Sequence, residues 1–274
     1  MIKDVMVHLD GTYADDVRFA AAVDLAEKFD SHIIGLLLVV IPAIAPAGPH
    51  GTLAIINLRE AARKEGDDAE ARLRERLSQL KPGSELRRID VAGDTRAPVA
   101  AREARTADAF VALRPNGEPR DPEQLIEGVL FGSGRHVYVV PESVPSAHVF
   151  NHVLLAWNSS REAARALAEG MPYFRHAQKV TVLMVIEDPA DENQAKLGHE
   201  VVRHLLHHGI HATPHHSKRE MGRVGETLIA EAERLKADLL VMGAYGTSRL
   251  REWLLGGTTY KILHESPIPL LLSH

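Results

Sequence analysis

The chain repeats itself. Met1–Asp10 (MIKDVMVHLD) and Asn151–Asn158 (NHVLLAWN) are each an apolar run that ends in a carboxylate or amide, followed by small and polar residues and then a helical pattern. Further on, Thr106–Leu113 (TADAFVAL) parallels Lys236–Gly243 (KADLLVMG), and Arg135–Val140 (RHVYVV) parallels Ile268–Ser273 (IPLLLS). The landmarks keep one order in both halves, and repetition on this scale fixes architecture before any single motif does. A length of 274 residues is long for one core and ordinary for two. The expected division is residues 1–144 and 150–274, with Glu142–Val149, which carries Pro145 and no periodicity, as linker.

Within the second half, Val153–Trp157, Val180–Ile186, Leu239–Met242 and Ile268–Leu272 are continuous apolar runs separated by helical patterns. Such runs suit strands buried on both faces of a parallel sheet, whose strands need helical crossovers. Val224, Leu228, Ala232 and Leu235 share one helix face. The first half predicts strands near Asp4–Leu9, Ser31–Val40, Leu86–Val91, Ala109–Leu113 and Val137–Pro141. Its long helix, about Leu58–Leu80, turns Ala62, Ala69, Leu73, Leu77 and Leu80 inward and a solvated charged face outward. Ile41–Gly51, with three prolines, reads as a loop. The fold class is α/β, two doubly wound parallel-sheet domains in tandem.

Composition narrows the function. Hydrophobic residues at 45% and charged residues at 25% describe an ordinary globular chain. A net charge of -5, with both signs interspersed, gives no electrostatic footprint for nucleic acid or an anionic membrane, so neither is an expected partner. The absence of cysteine excludes disulfides, a thiol nucleophile and thiolate metal sites, and fits a reducing compartment. Lys3, Asp4 and Asp10 interrupt what a signal peptide would need as an apolar stretch. The expected location is cytoplasmic.

The strongest local motif is MGAYGTSRLREWLLGGTT, Met242–Thr259. A buried strand ends at Met242, Gly243 and Gly246 bracket a two-residue turn, nine residues follow, and Gly256 and Gly257 precede another helix. Glycines let backbone approach a ligand closely, and N–H groups at a helix N-terminus form an anion-binding concavity. The same glycines also suit caps and tight turns, an alternative that spacing leaves open. Asp10 and Asn158 end the first strand of each half, where doubly wound sheets bind ligands. Both are also favoured N-cap types, and Ser159 with Glu162 has capping-box spacing.

With these residues in view, the chain resembles the universal stress protein family in its tandem two-domain form. Nucleotide-binding members carry Gly, two residues, Gly, nine residues, then Gly followed by Ser or Thr; Gly243, Gly246 and Gly256 match, while Gly257 stands where the hydroxyl residue is expected and Thr258 comes next. The resemblance implies an adenine nucleotide alpha hydrolase-like fold and ATP or a related adenine nucleotide, with Mg²⁺ as companion, in the C-terminal domain of a stress-response sensor or regulator. It implies that backbone around Met242, Gly243, Gly246, Gly256, Gly257 and Thr258 holds phosphates, that Val185 meets adenine through its main chain, and that Ala156 and Asn158 meet ribose. Asn158 departs from the Asp usual in ATP-binding members. Family domains commonly pair through their last strands, which implies that Val137–Val140 and Leu270–Ser273 pair within this chain as a pseudo-dimer, and leaves a homodimer open.

The first half keeps Asp10 but lacks the paired glycines, and Gly132 and Gly134 read as a helix cap, so its site is expected to be empty or differently occupied. His204, His207, His208, His211, His215 and His216 cluster near a predicted helix-to-strand junction and read as a solvated helix end and loop; with no acidic ligand at a fixed offset, no metal site is expected. Trp157, inside a strand, reads as core, and Trp253, flanked by Leu250 and Leu254, as core or interface. There is no P-loop lysine, no acidic metal-binding pair and no Ser-His-Asp elbow, hence no catalytic residue to name. Two other readings remain: an interaction protein that binds no nucleotide, and a slow ATP hydrolase.

Overall fold

The computed structural model describes residues 1–43, 48–80, 84–92, 95–117, 123–142, 150–186, 192–218, 223–246 and 257–274. These group into two compact units, Met1–Ala112 with Pro122–Arg135, and Leu113–Asp121 with His136–His274.

The first unit runs β1 (Asp4–Leu9), α1 (Asp15–Phe29), β2 (His32–Ile41), α2 (Gly48–Ser78), β3 (Glu85–Ala92), α3 (Arg96–Ala104), β4 (Ala109–Leu113) and α4 (Glu123–Gly132). Its strand order is β3-β2-β1-β4, all parallel. Val5, Met6, Val7 and Leu9 are fully buried, as a two-faced central strand requires. Helix α2 begins ten residues ahead of the expected Leu58, taking in Gly48–Gly51 from the segment read as loop. Pro49 explains the misreading, since proline is compatible with a first helical turn, where its missing N–H has no intrahelical acceptor. Ala69, Leu73 and Leu77 of α2 are buried as expected, whereas Ala62 and Leu80 are half-buried.

The second unit runs β5 (His136–Val140), β6 (His152–Ala156), α5 (Arg161–His176), β7 (Lys179–Ile186), α6 (Glu192–His207), β8 (Ala212–Lys218), α7 (Val224–Arg234), β9 (Leu239–Gly243), α8 (Thr258–Glu265) and β10 (Leu270–Ser273). Its order is β5-β10-β9-β6-β7-β8. All neighbours are parallel except β5 and β10, the two final strands expected to meet, which pair antiparallel with Leu271 opposite Tyr138. Strand β8 corrects the reading of His211–His216 as a solvated loop. It is a polar strand at the sheet edge, exposed enough to need no apolar run, and it carries Pro214, which edge strands tolerate. The linker segment, apart from Glu142, falls outside the described residues, as do Trp253, Gly256 and the arginines of the glycine run.

The repeat has a physical core. Asp108 Oδ2 accepts the N–H groups of Lys3 (2.7 Å) and Asp4 (3.2 Å), while its own N–H donates to the Asp4 carbonyl at 2.8 Å. Asp238 does the same for Asn151 (2.6 Å) and His152 (3.2 Å), donating to the His152 carbonyl at 3.0 Å. Asp4 and His152 are therefore equivalent, and equal steps along the chain pair His8 with Ala156 and Asp10 with Asn158.

Beyond the end of β1, the first unit holds a buried ionic network. Arg18, 2% exposed, donates from Nη1 to His8 Nδ1 at 2.9 Å and from Nη2 to Asp10 Oδ1 and Asp15 Oδ1, both at 2.7 Å. Asp15 also accepts the N–H groups of Asp10 and Gly11, and Asp10 accepts from the N–H and hydroxyl of Thr12. Gly11 sits at φ +79°, and a Cβ there would lie 2.7 Å from that of Ala69, so α2 closes over this turn. A guanidinium only donates, so His8 Nδ1 must accept and the ring is neutral. Burial, with the Arg18 charge second, lowers the His8 pKa to about 3. Burial raises Asp15 to about 6 despite Arg18. Burial acts the same way on Asp10, but Arg18 and Thr12 outweigh it and hold that carboxyl below its usual range.

These shifts oppose one another. As pH falls below 6.5, the unfolded chain protonates His8 and the folded one does not, so stability is lost toward about pH 3. Asp15 takes up its proton in the folded state near pH 6 and in the unfolded state only near 3.8, so stability is gained over that fall. His8→Gln keeps an acceptor for Arg18 and removes the first effect. Its unfolding free energy should gain on the wild type by about 1.4 kcal/mol per pH unit between about pH 6 and pH 4. Urea unfolding at three pH values checks this; parallel profiles for the two proteins would contradict it.

Candidate functional site

In the second unit the strand order places β6 at the switch between β7 on one side and β9 on the other, the position where open parallel sheets leave a crevice beyond their carboxyl ends. A cavity of about 310 Å³ lies there, lined by Ala156, Trp157, Asn158, Ser160, Leu183, Val185, Val224, Leu228, Met242, Gly243, Gly246, Thr258 and Thr259. Its volume falls within the range of small-molecule sites. Leu183, Val185, Val224, Leu228 and Met242 make it apolar, while Asn158, Ser160, Thr258 and Thr259 bring polar groups.

Seven of the nine residues expected at a site thus share one cavity: Ala156, Asn158, Val185, Met242, Gly243, Gly246 and Thr258. Gly257 is the N-cap of α8 and is not among the lining residues; Gly256 lies outside the described residues. The capping geometry differs from expectation by one residue. Ser160, not Ser159, is the N-cap of α5, its Oγ accepting the Ala163 N–H at 3.1 Å, and Ser159 takes φ +61°. Asn158 Oδ1 accepts the Ser160 N–H at 3.1 Å, so the amide orders the turn ahead of α5 while lining the cavity.

The glycines have different local reasons. A Cβ on Gly243 would run into the Glu162 carbonyl carbon and stand 2.5 Å from Ala163 N, so this glycine lets β9 approach the first turn of α5. A Cβ on Gly246 would meet only the end of the Glu162 side chain, Oε2 at 3.0 Å. Tyr245, at φ +56°, donates its N–H to Thr259 Oγ1 at 3.0 Å, tying the turn to the first turn of α8. Helix α8 has Gly257 as its N-cap, which offers no side chain, and the positive end of its dipole lies at Thr258. No charged side chain lines the cavity among the described residues.

Trp157, read from sequence as core within a strand, stands one residue past β6, half-buried and lining the cavity. An apolar run that overshoots its strand by one residue gives no signal that its last member faces a cavity. A second omission was legible: where the first half has His8, Asp15 and Arg18, equal steps from Asp4 and His152 find Ala156, Ala163 and Ala166. The ionic network and the alanine set are alternatives on one frame. Among the described residues no group of three His, Asp or Glu is close enough to hold a metal ion. His204 and His208 make ring contact at 4.8 Å, and His215 instead meets Glu231 at 3.1 Å. No helix of the described residues is long and apolar enough to cross a membrane.

Comparison with known proteins agrees with this geometry. Residues 150–274 match the profile of the universal stress protein family. Universal stress proteins of Mycobacterium tuberculosis and Mycobacterium bovis are 31% identical over 86 residues, 31% of this chain, and the match spans only 29% of their length. Among solved structures, a universal stress protein from Archaeoglobus fulgidus superposes with a TM-score of 0.74 at 18% identity, covering 98% of this chain and 95% of that one. A functionally unknown protein from Pseudomonas aeruginosa gives 0.59 at 15% identity, covering 99% and 92%. At these identities the structural likeness speaks for the fold, and the profile match makes residues 150–274 a domain of the universal stress protein family.

Proposed function

We infer that the cavity of the second unit binds an adenine nucleotide, ATP or a close relative, and that the protein acts as a sensor or regulator through that occupancy. The observation that carries this reading is the convergence of Ala156, Asn158, Val185, Gly243, Gly246 and Thr258 on one cavity at the carboxyl end of a parallel sheet. The chemistry of the donors fits. The N-terminal end of α8 and the Thr258 hydroxyl suit phosphate oxygens, the apolar wall with Val185 suits a purine, and Asn158 suits ribose hydroxyls. A phosphate chain bound there would be held by N–H groups and a helix dipole. With no carboxylate among the lining residues, Mg²⁺ would reach the site on the nucleotide's own phosphates.

Titration calorimetry with ATP, AMP and a ligand-free control tests the reading, alongside ultraviolet absorbance of the purified protein for a co-purified nucleotide. Absence of heat and of any thermal shift with every nucleotide would overturn it. Gly246→Val fills the cavity mouth against a movable side chain, so it should weaken binding at least tenfold and leave the fold intact. Gly243→Ala instead forces β9 off α5 and should cost about 1–3 kcal/mol of stability by overpacking, measured by urea unfolding. Asn158→Asp replaces a neutral acceptor with a charged one and should tighten ATP binding by about 1 kcal/mol, roughly fivefold.

A further inference from the structure

Among the described residues, Ser160, Thr258 and Thr259 bring hydroxyls to the cavity wall. Thr259 is buried and its Oγ1 takes the Tyr245 N–H, which commits it to the turn. Ser160 is half-buried, and the backbone around it is settled: its N–H donates to Asn158 Oδ1 at 3.1 Å and its carbonyl accepts the Ala164 N–H at 3.0 Å. Its Oγ accepts the Ala163 N–H at 3.1 Å, which uses the oxygen and leaves the hydroxyl proton with no acceptor among the described residues. The oxygen stands at the glycine turn. It lies 3.9 Å from where a Cβ on Gly246 would sit, and Gly246 lines the same cavity. Glu162 comes nearer still to that point, but it does not line the cavity and its Oε1 is tied to Arg161.

We propose that Ser160 is a specificity-determining contact of the site: its hydroxyl donates to the phosphate bonded directly to the ribose, and so distinguishes a nucleotide from its nucleoside. This rests on the nucleotide reading above. Position selects the phosphate, because the bond to Asn158, read as a ribose contact, holds Ser160 two residues away while its Oγ stays beside Gly246. Chemistry selects an anion. A hydroxyl that already accepts an N–H is a stronger donor, this one stands at the positive end of the α5 dipole, and a bond to an anion is about twice as strong as one between neutral groups. The capping role and the contact use different parts of one group, a lone pair for Ala163 and the proton for the ligand.

Ser160→Ala and Ser160→Gly both delete the hydroxyl and differ in what they do to the helix, because glycine is a fair N-cap and alanine is not. The ligand-free alanine variant should melt about 2–4 °C below the wild type, and the glycine variant should lose less. Calorimetry with adenosine, AMP and ATP should show both variants weakened by the same factor, roughly tenfold or more, for AMP and ATP, with adenosine bound as by the wild type. A serine that serves only the cap gives another pattern: affinity unchanged in both variants, or a loss that follows melting temperature and reaches adenosine as well. Either pattern overturns the proposal and leaves nucleotide binding intact. A loss confined to ATP overturns it too, since the contact would then lie further along the phosphate chain. If the wild type binds none of the three ligands, the nucleotide reading and this contact fall together.

Discussion

The architecture of the second unit depends on where β6 begins relative to β9, and one carboxylate decides that. Asp238 takes the N–H groups of Asn151 and His152 and returns its own N–H to the His152 carbonyl. Burial pushes its pKa up, and the bonds from the two N–H groups work against that, which is the balance of a carboxylate held for geometry. Once the start is set, the parallel register carries it along, Val153 opposite Leu239 through Leu155 opposite Val241. The strands then end together at Ala156 and Gly243, and the crevice opens between the turns that lead out of them. Asp108 fixes β1 against β4 in the same way, so both halves begin from one frame.

The frame does not determine what stands at its carboxyl end. In the second half the equivalent positions are three alanines, Ala156 at the strand end, which lines the cavity, and the buried Ala163 and Ala166 of α5. In the first half the same steps bring His8, Asp15 and Arg18, and a buried guanidinium must have its charge answered. Asp10 and Asp15 answer it, the neutral His8 ring takes a third hydrogen bond, and Ala69 of α2 packs over Gly11. Both Nη atoms of Arg18 are engaged while its buried Nε has no partner among the described residues, so the end of β1 is filled by side chains where the second half has alanines.

Most of the sheet could be read from sequence because strands buried on both faces must be continuous apolar runs, and Asp4–Leu9 and Ala109–Leu113 were recovered to the residue. Legibility failed where burial is partial. Strand β8 is an edge, so Ala212–Lys218 needed no apolar pattern, and α2 starts in a stretch whose prolines read as a loop. At the site, the glycine spacing located the cavity but not the division of labour within it: that Gly243 serves the packing of β9 on α5 while Gly246 borders space depends on distances between segments far apart in sequence. That Trp157 lines the cavity was hidden for the same reason, since an indole at the end of an apolar run looks alike whether it meets core or cavity.

The two carboxyl ends also differ in how they could discriminate anions. A site built on side-chain cations would attract many anions at a distance and would need those charges balanced when empty. The cavity of the second unit has no charged lining residue among those described, only hydroxyls, an amide, glycine backbone and the start of α8. On the proposed reading, phosphate would be held there over short range, by groups about the start of α8 that the bond from the Tyr245 N–H to Thr259 ties to the turn. A site of that kind would depend on the fit of the uncharged part of its ligand, which in the proposed reading falls to the apolar wall of Leu183, Val185, Val224, Leu228 and Met242.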